Sequence, residues 1–312
     1  MTALIKTGTA AWADRLLVTS GWYPPNVRSA EAKLKYYASQ FPIVENDAGY
    51  WAVFTPQQVQ LWAQRTPESF TMNMKAHALL TGHYTDPKRL PKDIRNELPK
   101  ELLEKEHVYP RDLGAELMLE IRTRFHEALA PLHQAGKLGV VCFQFPVWFP
   151  ISGVNKEKLV YIRRAFKPYR TAVEFRNATW MSEENRDETL EFLANADIVY
   201  TCVDEPQGFP SSVPPIVAAT SDLAYVRMHG QNAMRWESGA RSAAERFEYL
   251  YSREELSTWV PKIMKLAKET REVHVIMNNC YIDYAVRNAK DMTELLAQAQ
   301  ADLVLLPERR AA

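Results

Sequence analysis

The sequence predicts a single α/β domain folded as a TIM-type (βα)8 barrel. Three observations lead there. Eight short runs rich in β-branched, aliphatic and aromatic residues recur along the chain, and most are followed by a segment of helical periodicity. The run starts are mostly 25 to 39 residues apart, the usual length of one βα unit. Eight parallel strands joined by right-handed crossovers most naturally close on themselves.

The strand runs are Leu4 to Thr9, Ile43 to Asp47, Phe70 to Lys75, Leu138 to Phe145, Thr171 to Arg176, Ile198 to Asp204, Leu223 to His229 and Val273 to Asn278. Helices are expected over Ala30 to Gln40, Pro56 to Gln64, Ala115 to Gln134, Lys156 to Lys167, Ser182 to Asn195, Arg253 to Lys268 and Ile282 to Gln298. Thr55 before Pro56 is an N-cap followed by proline at the first helical position. Ser252 with Glu255 has capping-box spacing, and Ser182 stands where a third cap would be. Only the sixth connection lacks a convincing helix. The barrel is expected to occupy residues 1–305, followed by a tail, 306–312.

Two connections are longer than a crossover needs. The third unit carries a charged excursion, residues 79–114, with too few apolar residues to form a core of its own. It reads as a solvated face. The seventh unit carries Gln231 to Ser252, in which charges alternate with Trp236, Phe247, Tyr249 and Tyr251.

Composition removes several classes of function. With 38 Lys+Arg against 38 Asp+Glu the formal charge is zero, which disfavours binding driven by a nucleic-acid backbone. No apolar run approaches the roughly 20 residues of a membrane span, and the N-terminus lacks a signal-peptide pattern, so a cytoplasmic location is expected. Cys142, Cys202 and Cys280 lie in separate apolar stretches and read as free thiols. No glycine-rich nucleotide fingerprint, P-loop, nucleophile elbow or His-Glu-x-x-His motif is present.

The chemistry of such a barrel gathers at the carboxyl ends of its strands, and here those ends are polar. They supply Glu45 and Asp47, Lys75, Gln144, Glu174 and Arg176, Asp204, Arg227 and His229, and Asn278. Glu174 and Arg176 share a strand face, as do Arg227 and His229, and Glu45 and Asp47. Charged groups inside a barrel need partners or water, so these are expected to converge on one solvated pocket.

Acids and bases in this set are near balance, which opposes a divalent cation, and no cofactor is predicted. Glu174, Asp204 and His229 are the residues that would hold a metal if one bound. Lys75, Arg176 and Arg227, with Asn278, suit a phosphate or carboxylate. Glu174, paired with Glu45 or Asp204, also permits a glycosidase arrangement in which Trp12, Trp22, Trp51 or Trp180 stacks on sugar.

Nearly the whole chain resembles one family, known as domain of unknown function 72 or YecE-like. The resemblance is carried by Gly8-Thr9 with Trp12, Trp22-Tyr23-Pro24, Val44-Glu45, Lys75 and Phe143-Gln144-Phe145-Pro146. Its most specific pieces are Ala172-Val173-Glu174-Phe175-Arg176 with Trp180, Tyr225-Val226-Arg227-Met228-His229-Gly230, and Asn278-Asn279 with Arg287-Asn288-Ala289. The sequence departs from the family pattern at Ala10-Ala11 (Ser-Gly in the family), Asp47 (Asn), Asn177 (His), Gln231 (Arg) and Cys280 (His). The resemblance implies a TIM-type barrel with a polar pocket, altered here by those losses of polar groups. It implies no reaction.

The functional expectation is an enzyme acting by acid–base chemistry, as a hydrolase or isomerase, on a small polar ligand that is anionic or polyhydroxylated. Glu174, Glu45 and His229 are the expected catalytic groups, with His229 moving a proton. Lys75, Gln144, Arg176, Asp204, Arg227, Asn278, Trp12 and Asp47 are the expected binding groups. The alternatives are a ligand-sensing module without turnover and a nucleic-acid-processing protein using the excursion. The oligomeric state is left open.

Overall fold

Eight strands pair in chain order, each parallel to the next, and the last pairs back to the first to close the barrel in the computed structural model. The structure describes residues 3–237 and 243–305; the expected tail, 306–312, lies outside them. The strands are β1 (Leu4–Thr9), β2 (Ile43–Asn46), β3 (Thr71–Lys75), β4 (Leu138–Gln144), β5 (Arg170–Glu174), β6 (Val199–Asp204), β7 (Leu223–Met228) and β8 (Glu272–Met277). All eight expected runs are therefore strands. Arg176, His229 and Asn278 sit just past the strand ends, where the ladder stops and the chain turns over the barrel mouth.

Around the barrel run α1 (Arg15–Thr19), α2 (Ala30–Gln40), α3 (Pro56–Arg65), α4 (Lys92–Glu97), α5 (Lys100–Leu103), α6 (Pro110–Gln134), α7 (Gly153–Ala165), α8 (Arg186–Asn195), α9 (Ala243–Arg246), α10 (Arg253–Glu269) and α11 (Tyr284–Leu305). The connection from β6 to β7 carries no helix, as its sequence predicts. Reciprocal capping boxes open α3 at Thr55 and Gln58 and α10 at Ser252 and Glu255. Ser182 does not cap α8. Its carbonyl accepts from the amides of Asn185 and Arg186 in a preceding turn, so the helix starts at Arg186.

The charged excursion after β3 corrects the expectation of a coreless face. Leu79, Leu90, Ile94, Leu98, Val108 and Leu113 converge with Ile121 of α6 into a small apolar cluster. Single apolar residues scattered among charges hid this core from a count by segment. A bridge between Thr85 and Val108 pins the base of the excursion. Gly114, at φ 75°, breaks α6 so that its first turn follows the excursion while the rest runs along the barrel.

Strand alternation sorts the side chains into two sets. The outward set packs beneath the helices in the main core, around Tyr37, Phe125, Phe143, Phe166 and Trp180. The inward set is apolar at mid-height, with Ile43, Cys142, Ala172, Tyr225 and Ile276. Two residues further along the same faces come Glu45, Gln144, Glu174, Arg227 and Asn278. The barrel interior thus changes from apolar to charged toward its carboxyl end.

Candidate functional site

Arg227 stands at the centre of this charged layer. Its Nε and Nη2 donate to Glu45 Oε1 at 3.0 and 2.5 Å, and Nη1 donates to Glu174 Oε2 at 2.5 Å. Nη2 also lies 3.3 Å from Asn278 Oδ1 and 3.4 Å from Asp47 Oδ1. One guanidinium therefore ties together β2, β5, β7 and the end of β8. Arg176 continues the network, 2.5 Å from Glu174 Oε1 and paired with Glu205. His229 closes it, with Nδ1 2.7 Å from Asn278 Nδ2 and Nε2 3.0 Å from Arg176 Nη2. The Tyr225 hydroxyl donates to Glu45 from below, two residues before Arg227 on the same strand face.

Burial and charge divide the acids of this layer. Burial raises Glu174, but the fields of Arg176 and Arg227 outweigh it and hold the carboxylate well below its ordinary range. Glu45 goes the other way. Burial pushes it up to about 8 against the pull of Arg227, and the neighbouring Asp47 adds to the rise. Burial also pushes Glu205 up to about 7. His229 is pushed down to about 3 by burial and then by Arg176, so its ring is neutral near neutral pH.

Above the network, a cavity of about 480 Å³ opens at the carboxyl ends of β8, β1 and β2. Trp12, Trp51, Phe54, Trp62 and Phe247 are its aromatic walls; Asp14, Arg15, Asn46, Asp47 and Asn278 are its polar and charged groups. Trp12 and Trp62 meet edge to face, with centroids 5.8 Å apart, as do Phe54 and Trp62 at 4.7 Å. Asp14 stands exposed at the rim of this space; the protein packed around its base, followed by the charge of Asp47, raises its carboxyl above the ordinary range. Ala10, Ala11, Asp47 and Cys280, four positions where the sequence departs from the family pattern, all line this space.

The connection after β7 roofs the network. Trp236 lies 5.0 Å over the Arg176 guanidinium, and Phe247 contacts His229 at a ring distance of 5.8 Å. The paired asparagines have opposite tasks. Asn278 faces inward to Arg227 and His229, whereas Asn279 donates to the Tyr249 carbonyl and to Asn288 Oδ1, each at 2.8 Å. Asn288 in turn exchanges two hydrogen bonds with the Tyr251 backbone.

The expected site residues thus fall into groups. Glu45, Asp47, Glu174, Arg176, Arg227, His229 and Asn278 are in one network, and Lys75 joins it 3.5 Å from Asp47. Trp12, Asp47 and Asn278 line the cavity. Asp204 is buried and accepts from the Tyr251 hydroxyl, and Gln144 is half-buried beside Glu174 in the register, away from the cavity lining. Of the tryptophans considered for stacking, Trp12 and Trp51 line the cavity, while Trp22 packs on Tyr23 and Tyr36 and Trp180 is buried against Phe175.

Two expectations need correction. Arg227 does not present itself to an anion, because its side chain is fully enclosed and already engaged by carboxylates. His229 is enclosed rather than free to move a proton to a ligand: its ring, neutral near neutral pH, can accept from Asn278 Nδ2 at Nδ1 while Nε2 lies 3.3 Å from Glu174 Oε1. Asp14, Glu205, Tyr225 and Tyr251 were missed. Tyr225 was within reach of the alternation that found Arg227; Asp14 lies in the loop beyond β1, where a reading confined to strand ends does not look. Among the described residues, no three His, Cys, Asp or Glu side chains are grouped as metal ligands, and no helix is long and apolar enough to cross a membrane.

Comparison with known proteins agrees with the fold. The profile of the family described as "Protein of unknown function DUF72" matches residues 6–311. The UPF0759 protein YunF of Bacillus subtilis is 31% identical over 297 residues, covering 94% of this chain and 95% of that one. A DUF72 family protein of Enterococcus faecalis superposes with a TM-score of 0.76 at 27% identity, covering 94% and 96% of the two chains. One from Thermotoga maritima gives 0.73 at 29% identity, covering 94% and 99%. The chain belongs to the DUF72 family.

Proposed function

We propose that this DUF72 barrel is an enzyme that performs acid–base chemistry, hydrolysis or isomerisation, on a small polyhydroxylated ligand seated in the aromatic cavity. The observation that carries the reading is the placing of two carboxyls, Asp14 at the exposed rim and Asp47 deeper, in one cavity walled by Trp12, Trp51 and Trp62. Two carboxyls facing one cavity can divide the roles of acid and base. Asp14 gives the proton and Asp47 receives one. The ring faces of Trp12, Trp51 and Trp62 suit the apolar face of a sugar or polyol, whose hydroxyls Asn278 and Asp47 can bind.

In this reading Glu45, Glu174, Arg176, Arg227 and His229 are positioning residues. Arg227 fixes Asp47 and Asn278 from below, and Glu45 holds Arg227 in place. The charge of the cavity wall itself disfavours an anionic group there, since Asp14 and Asp47 stand against Arg15 alone.

Proton NMR of a panel of neutral sugars and polyols incubated with the protein tests the proposal. Conversion of one by the wild type, with Asp14→Asn retaining binding but losing at least about 100-fold in rate, is the expected result. Binding without conversion would make the chain a sensing module. Equal rates in Asp14→Asn would remove Asp14 from the chemistry.

A further inference from the structure

On the opposite side of the barrel mouth, one cation stands without a carboxylate. Lys158 rises from α7 with its ammonium 5.8 and 5.6 Å from the ring centroids of Phe145 and Phe149. Its Nζ abuts Gly82, 3.6 Å from where a Cβ would stand. Among the described residues it has no ion pair or side-chain hydrogen bond, and burial alone, with no neighbouring charge to offset it, lowers its pKa. A half-buried ammonium against two aromatic rings is favoured by a counter-charge, and none is paired with it among the described residues.

Other donors lie nearby, since Gly82, which Lys158 abuts, precedes His83 in the chain. Lys75 lies 5.0 Å over the Tyr50 ring, and Tyr50 meets His83 at 5.4 Å. His83 is 2.8 Å from Thr81 Oγ1 through Nδ1, leaving the other ring nitrogen uncommitted to that bond. Burial first, then the fields of Lys75, Arg176 and Lys158, lower the His83 pKa to about 4, so the imidazole is neutral and within the field of all three cations. Of the nearby acids, Glu205 is engaged by Arg176, and Asp47 is shared between Arg227 and Lys75, so Lys158 is the cation of this group without a carboxylate partner among the described residues.

We propose that Lys158, His83 and Lys75 form a subsite for a phosphate or carboxylate group on the ligand whose body occupies the aromatic cavity. The proposal rests on the function inferred above and extends its ligand to a phosphorylated or carboxylated sugar or polyol. A short 3-10 helix, Asp47–Tyr50, joins the two places: Asp47 lines the cavity, and Tyr50 contacts both Lys75 and His83. Lysine acts there as a point charge, and imidazole adds a directional hydrogen bond.

Calorimetric titration with inorganic phosphate and with acetate tests the subsite, using the wild type, Lys158→Gln, Lys158→Arg and Trp12→Ala. At least one anion is expected to bind the wild type, to weaken about tenfold or more in Lys158→Gln, and to be retained in Lys158→Arg and Trp12→Ala. The stronger of the two anions identifies the substituent. Equal affinity in Lys158→Gln, equal weakening in Trp12→Ala, or no anion binding would overturn the proposal. Titration with glucose and glucose 6-phosphate separates it from the cavity reading. Lys158-dependent phosphate binding with no Trp12-dependent binding of either sugar would leave the subsite standing and remove the polyol reading; the reverse pattern would do the opposite.

Discussion

Arg227 Nη1 lies 2.5 Å from Glu174 Oε2, and neither side chain has any solvent exposure. A bonded pair this deep is neutral or costly relative to apolar residues, but breaking it strands a charge. Here the same guanidinium also holds Glu45, Asp47 and Asn278. Arg227→Ala is therefore expected to lower unfolding free energy by at least about 3 kcal/mol, read from the urea midpoint. Arg227→Lys should be nearly as damaging, because an ammonium cannot reproduce the fork. A loss below about 1 kcal/mol in either variant would show the network to be dispensable.

The two glutamates that Arg227 joins should respond differently to loss of charge. Glu45, raised to about 8 by burial, carries its proton at pH 7, whereas Glu174 is ionised between two arginines. Glu45→Gln at pH 7 is expected to cost about 1 kcal/mol, chiefly through the Tyr225 hydrogen bond, and Glu174→Gln at least about 3 kcal/mol. Equal costs would mean that the division of charge is wrong.

Stability should fall as pH rises above 6.5, because below that pH the raised acids and the lowered histidines oppose one another and above it only the acids still act. Between its ordinary 4.5 and about 8, Glu45 holds a proton in the folded chain that the unfolded chain has released, so stability falls as pH rises through that window. The histidines act in the opposite sense. His229, lowered from 6.5 to about 3, and His77 and His83, each lowered to about 4, refuse protons that the unfolded chain accepts, so their contribution is lost as pH drops below 6.5. From pH 6.5 to 8, Glu45, with Glu205 at about 7, dominates the slope. Each proton contributes at most about 1.4 kcal/mol per pH unit. Chemical denaturation across this range should show a decline that Glu45→Gln flattens; a rise would contradict it.

Closure of the barrel depends on Gly8. A Cβ there would come 2.0 Å from the Ile43 carbonyl oxygen, and Gly8 is one of only two β1 residues in register with β2. The obstacle is backbone, which cannot rotate aside. Gly8→Ala is expected to cost about 3 kcal/mol and to open the cavity between β1 and β2, seen as lost protection of the Thr9 and Val44 amides in hydrogen exchange. Unchanged protection would show that the strands tolerate separation.

The barrel was legible because strand and helix periodicities alternate with little interference, down to the helix-free sixth connection. Local capping chemistry at Thr55 and Ser252 was equally readable. Ser182 misled because a polar turn can mimic a cap. At the site, strand alternation found Glu45, Glu174, Arg227 and Asn278, which do share one interior layer. Pairing within that layer is a three-dimensional fact: Arg227 looks like an anion-binding group until Glu45 and Glu174 are seen to enclose it. The cavity wall comes instead from beyond the strands, with Asp14 in the loop after β1, Trp62 on α3 and Phe247 from a distant excursion. No periodic signal marks such residues.

The most direct test of the central claim is a tryptophan-fluorescence titration with neutral sugars and polyols, comparing the wild type with Trp12→Ala and Asp14→Asn. The account predicts saturable quenching by at least one of them in the wild type, its loss in Trp12→Ala and its persistence in Asp14→Asn. Saturable binding unaffected by Trp12→Ala, or none across the panel, would contradict the aromatic cavity as a polyol site.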